Sequence, residues 1–154
     1  MTAHPLLRPG SLDPGHNEDL RVAWLAAAHE SVRVAGGGLI GEVLKPATGR
    51  NYYAVAVDFR GGVPGVLMLN PAVRVVALAE RGVRDDPSLA QTRTFLSVPA
   101  ARVFQKSGFV VPEAVDLERD LTTADLADLT RGELDDIDYH QPRRVGDVVF
   151  NWFD

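Results

Sequence analysis

The chain has 154 residues, a formal charge of −5 and no cysteine. Apolar residues make up 45% and charged residues 24%, ordinary values for a globular protein that exclude a disordered or collagen-like chain. Without cysteine there is no disulfide framework, thiolate nucleophile or cysteine-ligated metal.

Residues 1–16 are punctuated by Pro5, Pro9, Gly10, Pro14 and Gly15 and read as an irregular lead-in to one domain spanning 17–154. An amphipathic helix is expected from about Glu18 to Val34. Asn17 is suited to cap it, and Glu18 and Asp19 fall in the first turn, where the helix dipole favours anions. Leu20, Trp24, Ala27, Ala28 and Ser31 share one face, with His29 on the solvent side. Gly36 to Gly38 then stop the helix. The run Gly36-Gly37-Gly38-Leu39-Ile40-Gly41 fits the G-x-G-x-x-G dinucleotide turn, and Asp58 follows about where a ribose-binding acid would sit. That turn must open a long helix, however, and Pro46 arrives too soon. A helix stop followed by strand entry is the better reading.

Strands are expected at Leu39–Leu44, Asn51–Phe59 and Val66–Leu69, joined by turns at 46–49 and 60–62. Connections this short cannot make a parallel crossover, so the pairing is antiparallel. Asn70-Pro71 reads as a cap with proline at the first helical position, opening a helix that ends at Gly82. Val73, Val76 and Ala77 keep the helical period. Val75 and Leu78 make the segment apolar nearly all round, which leaves a strand as the alternative. The cap-then-proline device returns at Asp86-Pro87, residues 88–97 are ambiguous, and a helix is expected from Pro99 to Ser107, closed by Gly108. Phe109–Val111 would be a short strand.

The segment Ala100-Ala101-Arg102-Val103-Phe104-Gln105-Lys106-Ser107-Gly108-Phe109 resembles the late helix of the GNAT acyltransferase family. There, small residues, an aromatic and a closing Gly-Phe lead into a strand. The resemblance covers ten residues and implies a glycine-bearing acyl-CoA loop upstream. Gln91-Thr92-Arg93 has no such glycines.

A polar, acidic helix is expected from Thr122 or Thr123, with Leu126 and Leu129 as its apolar seam and Leu134 and Ile137 extending it past Gly132. The segment Val145–Phe153 is too apolar to fray and must dock on the core or on a partner.

Charge is unevenly placed. Residues 1–112 hold 12 basic and 9 acidic side chains, while residues 113–154 hold 4 and 12, a net −8. Such an acidic third does not suit nucleic acid or anionic lipid. The N-terminus carries no apolar run of signal-peptide length, and no uncharged stretch approaches the roughly 20 residues that span a bilayer. A cytoplasmic protein with no membrane or nucleic-acid partner is therefore expected. The 14 arginines against 2 lysines fit a GC-rich bacterial genome. His4, His16, His29 and His140 show no metal spacing, no serine sits in a G-x-S-x-G turn, and the acids near Asp85 and Asp135 lack the glycine and spacing of an EF-hand loop. No catalytic residue, metal or cofactor is expected.

These features predict an α+β domain: an antiparallel sheet of three to five strands with helices packed mainly on one face. The leading expectation is a small bacterial binding protein without catalysis, an immunity- or antitoxin-like inhibitor of a basic protein partner. Its binding face would hold Asp135, Asp136, Asp138, His140, Arg143, Arg144 and Trp152, because arginine and tryptophan dominate protein–protein hot spots. Arg143 and Arg144 could also pair with the acidic run before them. The alternative is a small enzyme, such as an acyltransferase, or a small-molecule binder. It would use a pocket beside the sheet lined by Tyr52, Tyr53, Asp58, His140 and Arg143.

Overall fold

A computed structural model describes residues 6–12, 15–47, 49–81 and 93–151. The chain is an α+β fold built on a five-stranded antiparallel sheet in the order β1-β2-β3-β4-β5. Helix α1 (Glu18–Ala35) starts where expected, with the Asn17 side chain accepting from Leu20 N. Strands β1 (Gly37–Leu44), β2 (Tyr53–Phe59), β3 (Gly65–Asn70) and β4 (Val75–Glu80) follow as successive hairpins, and β5 (Phe95–Leu96) closes the sheet. Helices α2 (Ala101–Lys106), α3 (Ala114–Glu118), α4 (Arg131–His140) and α5 (Val145–Val149) complete the order, with a 3-10 turn at Thr123–Leu126.

The strand pleat sorts the core into two layers. On one face Tyr53, Val55, Val57 and Phe59 of β2 join Leu67 and Leu69 of β3 and Val76 and Leu78 of β4. They pack against Trp24, Ala27 and Ala28 of α1 and Phe104 of α2. On the other face Tyr52, Ala54, Val66, Met68, Val75, Ala77 and Ala79 meet Leu117 of α3, Ile137 of α4 and Val145, Val148 and Val149 of α5. The helices are thus shared between both faces of the sheet instead of gathering mainly on one.

Burial on both faces explains why 71–82 reads as a helix. All of β3, and β4 up to Ala79, is buried, so both sides of β4 are apolar and the period of two is erased. The expected helix is in fact the turn at 71–74 followed by β4. Asn70 does act as a local cap, but of a turn: its Oδ1 accepts from Ala72 N at 2.9 Å. Arg74 then takes φ +58° to reverse the chain. Asp86-Pro87 lies outside the described residues. Phe109–Val111 contributes a single parallel bridge, Val110 to Val75, in place of a strand. The acidic helix begins later than expected, at Arg131, where Thr130 and Glu133 form a capping box.

The glycine run behaves as a helix stop. Gly36 has φ +83° and Gly37 φ +141°, and a Cβ on Gly37 would lie 1.9 Å from the Asp58 carbonyl oxygen. Only glycine lets β1 approach β2 so closely. The strand that follows offers no helix N-terminus to a pyrophosphate.

Residues 6–12 are irregular yet belong to the core. Leu7, Ser11 and Leu12 are buried. The buried Glu133 carboxylate accepts from Gly10 N at 3.2 Å and Leu12 N at 3.1 Å, tying this segment to α4. Asn51 and Asn70 donate to the Ser11 carbonyl at 2.7 and 3.1 Å, and both also donate to the Val149 carbonyl. Two buried amides thereby knit the lead-in, the sheet and α5, satisfying carbonyls that burial would otherwise leave unpaired.

Candidate functional site

The helices α3–α5 leave part of their sheet face open toward β1, and there lies a cleft of about 610 Å³. Its floor is Ala54 and Ala56 of β2 beside Val66 and Met68 of β3, and its rim includes Ile40 and Leu44 of β1. The volume follows from the sequence of β2. That strand sends Tyr53, Val55 and Val57 to the α1 face and two alanines to the other, so the small side chains leave room where the helices stop. Ile40 and Leu44 remain 43% exposed. The pairing of β1 with β2 shifts between Ile40 and Leu44, around Gly41 at φ +72°, as at a bulge.

Three arginines line this apolar cleft, Arg50, Arg81 and Arg93, with Glu42 as the acidic lining residue. Arg50 is 7% exposed and is held by the turn before β2. Its N–H donates to the Ala47 carbonyl, its guanidinium to the Lys45 carbonyl, and its Cζ lies 5.9 Å from the Tyr52 ring centroid. Burial pushes the Arg50 guanidinium below its ordinary value. Burial also drives the Tyr52 phenol up to about 12, with Arg50 and Arg93 pulling the other way, so the phenol stays protonated. Arg81 pairs with Asp58 at 3.2 Å.

Arg81 and Arg93 are brought together by strand register. Ala79 pairs with Phe95 and Glu80 N donates to the Thr94 carbonyl at 2.9 Å, so the next residues, Arg81 and Arg93, stand across from each other. Both belong to the parity of Ala79 and Phe95, which faces the cleft side of the sheet.

Behind Arg93 sits a buried ion cluster. Arg144, 4% exposed, holds Asp147 at 2.7 Å and Glu118 at 2.9 Å. It also donates to the Arg93 carbonyl at 2.8 Å and stacks over Phe95 at 4.9 Å. Glu118 in turn accepts from Phe95 N at 2.6 Å. Burial alone would raise the Glu118 carboxyl, but the Phe95 N–H and Arg144 outweigh it and hold the group below its usual range. Arg144 therefore braces β5 against α3 and α5, and with it the cleft wall that carries Arg93.

The residues singled out from sequence divide among several places. Asp135, Asp136 and Asp138 are exposed on α4, beside Tyr139 at 82% exposure. His140 ends that helix half-buried, its ring 4.9 Å from Tyr139. Arg143 is exposed and pairs with Asp120 at 3.1 Å, and Arg144 pairs with Glu118 and Asp147, so neither is paired with the 135–138 run in the way the sequence suggested. Arg144 lies in the interior, away from that exposed face. Trp152 lies outside the described residues. Of the expected pocket lining, Tyr52 lines the cleft and Asp58 borders it through Arg81. Tyr53 points to the opposite face, where its hydroxyl accepts from Asn17 N at 2.9 Å, and His140 and Arg143 are not among the lining residues. The arginines carry no signal in the sequence because they sit singly in segments flanking strands. The alternation of large residues and alanine in Tyr53–Val57 was the available signal for the cleft.

Among the described residues no group of three or more His, Cys, Asp or Glu is placed to hold a metal ion, and no helix is long and apolar enough to cross a membrane. Comparison with family models, curated proteins and solved structures gave no match.

Proposed function

We propose that the chain is a small-molecule-binding protein without catalysis, and that its ligand occupies the cleft over Ala54, Ala56, Val66 and Met68. The observation that carries this reading is the cleft itself: about 610 Å³, within the range of small-molecule sites, with an apolar floor and a few polar side chains at its walls. An amide-resolved NMR screen of a fragment library tests it. Bound fragments are expected to shift the amides of Ala54, Ala56, Val66 and Met68. A library that binds nowhere, or only on α4, defeats the proposal.

The acidic surface of α4 favours a second reading, the inhibitor of a basic protein partner. Asp135, Asp136 and Asp138 project from one short helix next to the exposed Tyr139, and such a field would speed association with a cationic surface. Pull-down from lysate at low and high salt, repeated with these three aspartates reversed to lysine, tests this reading. A basic protein retained at low salt and lost in the triple variant supports it. Equal retention by the triple variant removes it.

A further inference from the structure

We infer that the cleft takes an organic anion, its carboxylate or phosphate held by the opposed Arg81–Arg93 pair and its apolar body laid on the alanine floor. This rests on the cleft being the binding site and adds the chemical class of its ligand. Three guanidiniums and one carboxylate line the space. Arg81 and Arg93 stand across from each other at the ends of β4 and β5, both on the cleft side of the sheet, so a single anion there meets two guanidiniums. The Arg81 side chain is only 17% exposed. Its Nη2 is engaged with Asp58, whereas its Nη1 is buried and meets no hydrogen-bond partner among the described residues. A buried charged donor of this kind is costly until an acceptor reaches it. Guanidinium forks suit the paired oxygens of a carboxylate or phosphate.

The rest of the lining fixes the remainder of the ligand. Ala54, Ala56, Val66 and Met68 offer no polar side-chain atom, so a bare inorganic ion would leave most of the cleft unused. Further along, Arg50 and the protonated Tyr52 phenol add a cation and a hydrogen-bond donor.

Titration with octanoate, octyl phosphate, octan-1-ol and octylamine, followed by amide NMR at low ionic strength, tests the inference. The two anions are expected to shift the floor amides saturably and at least about tenfold more tightly than octan-1-ol, with octylamine weaker still. Arg81→Met and Arg93→Met are each expected to weaken both anions about tenfold or more and to leave octan-1-ol unchanged. Arg131→Met, removing an exposed charge on α4, should change nothing. If either cleft variant fails to fold by circular dichroism, the other carries the test. Octan-1-ol binding as tightly as octanoate, or anion affinity unmoved by the cleft variants, overturns the anion assignment and leaves the cleft as the site. Anions that shift only residues outside the cleft overturn it as well. Failure of the cleft reading itself is separate, since it appears as a fragment library that never shifts the floor amides.

Discussion

Replacing Arg144 by methionine probes the joint between the cleft wall and the rest of the fold. The substitution keeps the length and apolar stem of the side chain, and so its packing on Phe95, but deletes the charge between Asp147 and Glu118. Asp147 is 8% exposed and Glu118 35%, so Asp147 bears most of the cost of a carboxylate stranded in the interior. Breaking one partner of a buried pair costs about 3–5 kcal/mol. With one of the two acids partly solvated, the lower end, about 3 kcal/mol, is expected. For a chain of this size that lowers Tm by roughly 6–12 °C. The double variant Arg144→Met/Asp147→Leu removes the stranded charge as well and should recover more than half of the loss. Urea unfolding of the wild type, the two single variants and the double variant supplies the cycle. An Arg144→Met loss below about 1 kcal/mol, or a double variant no better than the single, refutes the account of this cluster as a desolvated ionic brace.

Gly37→Ala should cost several kcal/mol or prevent folding, because the added Cβ meets the Asp58 carbonyl at 1.9 Å and φ is +141°; Gly132→Ala, with open space around its Cβ, should be tolerated, and thermal melts of both make the comparison. Asn51→Leu should destabilise by about 2–3 kcal/mol in chemical denaturation, since it strips buried hydrogen bonds from the Ser11 and Val149 carbonyls and from Asn151 N. Acid should unfold the chain through specific carboxylates. Arg119, and then the Thr122 N–H and hydroxyl, depress Asp125 from 3.8 to about 2 against the effect of burial. For Glu133 burial acts upward, but the Thr130, Leu12 and Gly10 N–H groups outweigh it and hold the carboxyl below 4.5. Depressed carboxylates stabilise the fold fully above their unfolded values and lose that contribution as pH falls through the folded ones. Stability measured by urea unfolding should therefore decline from about pH 4.5 toward pH 2. A flat profile across that window would contradict these hydrogen-bond assignments.

Local chemistry made much of the fold legible. The Asn17 cap, the glycine stop at 36–38, the short hairpin turns and Gly108 each act within a few residues, so their consequences can be read where they stand. β4 could not be read in this way, because the helical layer that buries its second face comes from residues far along the chain. The same holds for Leu7, Ser11 and Leu12, whose partners Asn51, Asn70 and Glu133 are supplied by distant elements. The candidate site was the least legible part. Only Tyr52 and Asp58 were anticipated near it, while Arg81 and Arg93 become neighbours solely through the register of β4 and β5. The acidic bias of the C-terminal third was plain from composition, yet several of its carboxylates turn out to be internal ties: Glu118 and Asp147 to Arg144, Asp125 to Arg119, and Glu133 to the lead-in.

If the space above Ala54 and Ala56 is a ligand site, filling it must abolish binding. Ala56→Trp projects an indole into the cleft from a half-buried position on β2, over Val66, its partner across the sheet, and far in sequence from the Arg144 brace. In a fragment titration followed by amide NMR, the variant should keep the wild-type fold and lose binding by about tenfold or more. Undiminished binding by a folded Ala56→Trp protein would contradict the claim.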